Sequence, residues 1–197
     1  MEAIGKKLLV IGFMVLFLTS FGCAFGTRHI TLTPMKTSLT LDASGQKASL
    51  EVTDKRDPSL KPVVGHVKNG YGMKTAQVVA DKDVSIWVRD VIAGELKRMG
   101  GSVETDGVSL DNKAGKIRID VLVFYAQAYM RYGAEVTVAL SVNKNDRDIV
   151  KEKTFTGKAT LGMNWGASSA SYQKVLELAM EEMLQKMIPE ILVALKS

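Results

Sequence analysis

Hydrophobic positions along the chain follow two different periods. From Lys47 onward Ala48, Leu50 and Val52 alternate with polar residues, the pattern of a half-buried strand, and Asp54-Lys-Arg-Asp-Pro58 supplies its stop. Residues 62–67 read as a second strand and Asn69-Gly70-Tyr71-Gly72 as a turn. The period then lengthens. Val84, Trp87, Val88, Val91, Ile92, Leu96 and Met99 recur on one helical face, with Asp81 or Asp83 as N-cap. Lys97 and Arg98 suit the C-terminal dipole, and Gly100-Gly101 ends the helix.

Ile117, Ile119, Val121 and Val123 restore the period of two, and Tyr125, Tyr129 and Tyr132 continue the extended run. One straight strand of that length is unusual, so a bulge or break is expected within residues 127–133. Ala134, Val136, Val138, Leu140 and Val142 form the cleanest alternation. Residues 143–148 then read as a hairpin loop, and residues 149–161 as a more polar strand near an edge. Ser168 or Ser169 starts a last helix whose broad face carries Tyr172, Leu176, Ala179, Met180, Met183, Leu184, Met187 and Ile188. Pro189 should kink or restart it. The expected fold is α+β: a mostly antiparallel sheet with two main helices packed on one face.

Residues 8–18 break both periods, being apolar without interruption behind Lys6 and Lys7 and ahead of small residues. This is the order of a secretory signal peptide, and the stretch is shorter than the roughly 20 residues of a membrane-spanning helix. The only cysteine follows it. Gly22-Cys23 resembles the lipobox of bacterial lipoproteins, although Ser20 and Phe21 depart from its usual Leu and small residue. That resemblance implies lipidation of Cys23 and anchorage to a membrane; ordinary cleavage after Ala24-Phe25-Gly26 is the competing outcome. The resulting organisation is a signal peptide at 1–22, a lipidated flexible tether at 23–46 and one α+β periplasmic domain at 47–197.

The Cys-bearing leader, Val52-Thr-Asp54-Lys-Arg56 after a strand, the helix ending in Gly100-Gly101-Ser-Val103, the meander and the terminal helix together resemble the YajG-like bacterial lipoproteins. The resemblance implies a place and a shape but no biochemical activity. In many such lipoproteins an Asp after the Cys retains the protein in the inner membrane. Ala24 stands there in this chain, which by that resemblance implies the outer membrane, facing the periplasm.

Composition narrows the chemistry. With 197 residues, 46% of them hydrophobic and 24% charged, the chain is neither disordered nor a disulfide scaffold, having one Cys. The net charge of +5 comes without a basic run interleaved with aromatics, so nucleic acid is not an expected partner. His29 and His66 are the only histidines, in no metal-binding spacing, and neither a nucleophile elbow nor a phosphate loop occurs. No catalytic residue, metal or cofactor is expected. Asp54, Arg56 and Asp57 form either a ligand site or an Arg pair fixing a turn. Glu95 falls inside the helical stripe and is expected at its rim beside Arg98. Met180, Met183 and Met187 serve a core or a pliable binding surface.

Trp165, Tyr129 and Tyr132 are candidate contacts for an unknown envelope protein, glycan or lipid. The function expected is a non-enzymatic envelope binding module. The alternative is an auxiliary lipoprotein of an ABC-type lipid transport system.

Overall fold

The computed structural model describes residues 26–105, 114–163 and 167–197. The leader, Cys23 and Trp165 lie outside the described residues. In chain order the elements are β1 (Arg28–Ile30), β2 (Lys47–Asp54), a short 3-10 turn (Pro58–Leu60), β3 (Val63–Lys68), β4 (Lys74–Ala80), α1 (Val84–Arg98), β5 (Ser102–Glu104), β6 (Gly115–Ala128), β7 (Arg131–Lys144), β8 (Arg147–Met163) and α2 (Ser169–Lys196). The fold is α+β, as the patterning predicts.

The sheet is organised around β6. One of its edges pairs antiparallel with β7 along almost its whole length, and β7 pairs antiparallel with β8. The other edge is shared in parallel by β2, over Gly115 to Val121, and by β3, over Ala126 to Ala128. Beyond these, β4 lies antiparallel to β3, β1 parallel to β4, and β5 parallel to β2. The sheet is mixed, and its longest pairings are antiparallel.

Both helices cover one face. Ile117, Ile119 and Val121 of β6 are buried there, and so are Phe124, Ala126 and Ala128. The parity changes between the two sets because a register shift near Leu122 inserts one extra residue, a bulge that keeps apolar side chains inward. The break expected within 127–133 is a tight turn at residues 129–130. The β7–β8 hairpin turns on Asn145 and Asp146, with φ of 53° and 58°, the two left-handed residues of a type I′ turn.

Asp83 caps α1 by accepting from the Ser85 N–H at 2.7 Å, and Ser168 caps α2 by accepting from the Ser171 N–H at 3.2 Å. The chain leaves α1 through Gly100, whose φ of +90° favours glycine. Met180, Met183 and Met187 are fully buried beneath the sheet, which makes them core. At Gly157 the α2 backbone comes so close that a Cβ would lie 2.0 Å from the Ala179 oxygen.

Three expectations need correction. Residues 28–46 are not a free tether: β1 joins the sheet, and Ile30, Leu32, Thr37 and Ala43 are buried. The Leu32 N–H donates to Asp81 (2.9 Å), the Trp87 indole to the Thr33 carbonyl (2.7 Å), and the Ala43 N–H to the Met99 carbonyl (2.7 Å). Asp81 therefore anchors this incoming segment while Asp83 caps the helix. Strands β1, β4 and β5 add to those read from the sequence. Finally, α2 does not restart at Pro189 but continues through it as one helix, with Met187, Ile188, Ile191 and Leu192 buried on both sides of the proline.

Candidate functional site

Asp54 and Arg56 stand where β2 ends and the edge of β6 passes to β3. Arg56 donates through Nε (3.0 Å) and Nη2 (2.7 Å) to the two Asp54 carboxylate oxygens, a bidentate pair. Its remaining N–H groups reach the carbonyls of Lys61 (2.8 Å), Val63 (3.2 Å) and Phe124 (3.3 Å). Guanidinium and carboxylate are thus consumed in closing the gap between two strands that share one edge. Asp57 accepts from the Ser59 N–H at 2.9 Å and caps the 3-10 turn. The trio is structural.

Glu95 is buried, not at a rim. Its carboxylate accepts from the Thr37 N–H (3.1 Å), the Thr37 hydroxyl (2.5 Å) and Arg98 Nη2 (2.7 Å), while Arg98 also donates to the Leu39 carbonyl (2.7 Å). Desolvation raises its pKa, but the hydrogen bonds from Arg98 and Thr37 outweigh it and hold the carboxyl below its ordinary value. The expected Arg98 pairing is present, and it clamps residues 37–39 onto α1.

That clamp leaves a groove between residues 32–36 and α1, with a volume of about 560 Å³. Leu32, Met35, Trp87, Val91 and Gly94 supply apolar walls, and Lys36, Lys82, Lys97 and Arg98 surround the opening together with Asp90. Asp90 pairs with Arg89 at 3.0 Å, whereas Lys36 and Lys97 have no ion pair among the described residues. A Cβ added at Gly94 would meet nothing within 4 Å, so the groove is open above the helix backbone. Its size falls in the range of small-molecule sites, roughly 300–1,000 Å³. An apolar trough with a cationic rim accommodates an aliphatic chain carrying an anionic head.

The predicted aromatic contacts separate. Tyr129 is exposed at the β6–β7 turn. Tyr132 is only 4% exposed, stacks edge-to-face on Tyr172 with ring centroids 5.1 Å apart, and its hydroxyl accepts from the Ser168 N–H at 3.0 Å. It is a core residue because the turn at 129–130 puts it on the helix-covered face of β7, so it presents no surface to a partner. Near Tyr129 the sequence reading missed Tyr71, Met73 and Met130, all exposed. Large apolar side chains within tight turns are the signal that marks them.

His66 faces Tyr125 (Nδ1 to hydroxyl 3.2 Å), and burial, then the charges of Lys74 and Lys68, lower its pKa. Among the described residues no cluster of His, Cys, Asp and Glu is arranged to hold a metal, and no helix is long and apolar enough to cross a membrane.

A crystal structure of a Xanthomonas campestris protein of family-model DUF330 shares the fold at 11% identity, with a TM-score of 0.61, covering 84% of this chain and 95% of its own. An uncharacterized protein does so at 10% identity and TM-score 0.55, covering 84% and 99%. A minor lipoprotein from Acinetobacter baumannii aligns at 13% identity and TM-score 0.44, over 75% of this chain and 91% of its own. No curated protein matches the sequence. The family model Lipoprotein_16, described as an uncharacterized lipoprotein, matches residues 34–193, and by that match, as the YajG-like resemblance implied, the chain belongs to this lipoprotein family.

Proposed function

We propose that the protein is a lipid-anchored component of the bacterial envelope that acts without enzymatic chemistry, binding an anionic amphiphile such as a phospholipid in the groove beside α1. The observation that carries this reading is the groove's construction, an apolar trough rimmed by Lys36, Lys82, Lys97 and Arg98. An acyl chain gains by leaving water for the trough, and its head group meets Lys36 and Lys97, which have no ion pair among the described residues. Family membership supports the envelope location. Anchorage through Cys23 rests on the Gly22-Cys23 leader boundary, and an outer-membrane, periplasm-facing position rests on Ala24 in place of an aspartate. The same groove suits an auxiliary lipoprotein of an ABC-type lipid transport system, in which the ligand is cargo in transit.

Gly94→Phe tests the reading, because Gly94 lines the trough and a Cβ there meets nothing within 4 Å, leaving a larger side chain to compete with a ligand. Binding of a fluorescent lysophosphatidylglycerol should weaken at least about tenfold, a loss near 1.4 kcal/mol, with the melting temperature not lowered. Equal binding by wild type and Gly94→Phe removes the groove from the function. For the anchor, radioactive palmitate should label the wild type and not Cys23→Ser. Absence of label from both leaves secretion with cleavage after Gly26, upstream of β1.

A further inference from the structure

At one end of the sheet β3 and β6 finish while β4 and β7 begin, so two turns lie side by side there, at residues 69–73 and 129–130. Large apolar side chains stand out from both: Tyr71 is 89% exposed, Met73 59%, Tyr129 45% and Met130 73%. This exposure is built in. Asn69 Oδ1 accepts from the N–H groups of Tyr71 and Met73, each at 3.0 Å, and Gly72 takes a φ of +79°. The Tyr129 hydroxyl donates to the Gly70 carbonyl at 3.0 Å and ties one turn to the other. A monomer surface seldom groups such residues without a use for them.

Charge and chain direction identify the occupant. Lys68, Lys74 and Arg131 flank the turns, and no Asp or Glu occurs among residues 67–75, 125–134 or 159–163, the strand ends that meet here. Tyrosine and methionine with a cationic fringe are what an anionic lipid headgroup layer accepts. The N-terminus leads to the same place. β1 runs parallel to β4 with Arg28 opposite Val78, so the chain before Arg28 comes from the end where β4 starts at Lys74. The four residues of β4 from Lys74 to Val78 rise about 13 Å, and the five from Cys23 to Arg28 can span about 17 Å, enough to set the anchor level with the turns.

We infer that this end of the domain is a membrane-resting surface, with Tyr71, Met73, Tyr129 and Met130 seated among the phospholipid headgroups of the bilayer that Cys23 holds. The inference deepens the anchored reading above and rests on it. A lipid anchor alone leaves a domain free to tumble. A second, apolar contact orients it, turning the open face of the sheet and the α1 groove sideways to the membrane plane.

Photo-crosslinking in the native envelope tests the inference in the full chain. Benzoylphenylalanine placed at Tyr71 or Met130, neither of which packs against the core, should form adducts with the mass of glycerophospholipid. Yields should exceed by at least about tenfold those from Asp146, at the opposite end of β7. Lys74→Glu with Arg131→Glu should lower the adduct yield several-fold. Adducts to a protein in place of lipid, equal yields at Asp146, or yields indifferent to the two charge reversals overturn the surface. The mass of the N-terminal peptide reads the anchor separately: an unmodified Cys23 refutes lipidation, while the adducts at residues 71 and 130 still decide the surface.

Discussion

Arg56→Met removes the guanidinium from the junction where β2 hands the edge of β6 to β3, and its cost follows from what is left behind. The Arg56 and Asp54 side chains are only 8% and 3% exposed. Without the guanidinium, the Asp54 carboxylate retains only the backbone N–H of residue 56 at 3.0 Å, and the Lys61, Val63 and Phe124 carbonyls lose their side-chain donor. Breaking a buried pair from one side costs roughly 3–5 kcal/mol, because the surviving charge stays desolvated. Methionine recovers part of the packing over the Phe124 ring, which places the expected loss near 3 kcal/mol. Urea unfolding followed through the buried Trp87 indole gives the stability directly. Asp54→Asn in the Arg56→Met background should cost far less than in the wild type, a coupling of about 2 kcal/mol. An Arg56→Met protein within about 1 kcal/mol of wild type, or additive effects, would falsify the strand-junction role and reopen this pair as a ligand site.

Alanine at two glycines should act with opposite signs in thermal unfolding. Gly157→Ala drives a Cβ to 2.0 Å from the Ala179 oxygen and should cost at least about 3 kcal/mol, whereas Gly94→Ala meets open space in a helix and should gain about 0.5–1 kcal/mol. Glu95→Gln should lose about 1.5–3 kcal/mol at pH 7 by weakening the Thr37 and Arg98 bonds. Because the Glu95 pKa is lowered on folding, its contribution is present above an unfolded value of about 4.5 and disappears as pH falls through the folded one. The variant's stability should therefore decline less steeply in that acid range. The lowered pKa of His66 means that the unfolded chain takes up its proton first, so stability falls as pH drops below about 6.5. His66→Gln should flatten denaturant midpoints measured between pH 7 and 5, and an unchanged slope would show that other groups set it.

The amphipathic stripes of α1 and α2 and the β6–β7–β8 meander were legible because each repeats its period over many residues. Strands β1 and β5 were not, since three residues carry too few positions to show alternation. β4 hides for a related reason, burying only Val78 completely. Residues 28–46 carry no long period of their own and read as a tether; what docks Leu32, Thr33 and Thr37, namely Asp81, Trp87 and Glu95, lies about fifty to sixty residues away. Tyr129 and Tyr132 looked equivalent in sequence. A turn between them decides which is outside, and its position is set by the pairing of β6 with β7. Glu95 was visible as an intruder in an apolar stripe, but Thr37, which helps make its burial tolerable, comes from the segment misread as free. The groove was invisible for the same reason, because one of its walls is that segment.

The split edge of β6 also sets a timetable. A chain is synthesised N-terminus first, so residues 28–104 appear before β6, the strand on which both β2 and β3 depend. Until Val121 is made, β2 lacks its full pairing with β6 and is otherwise held only by the three-residue pairing with β5, and until Ala128 follows, the β1–β4–β3 group has no strand to join it to the rest. The local antiparallel contacts of the meander form fastest, and they come last in the sequence. This order commits the domain to its final shape only once the template strand is complete.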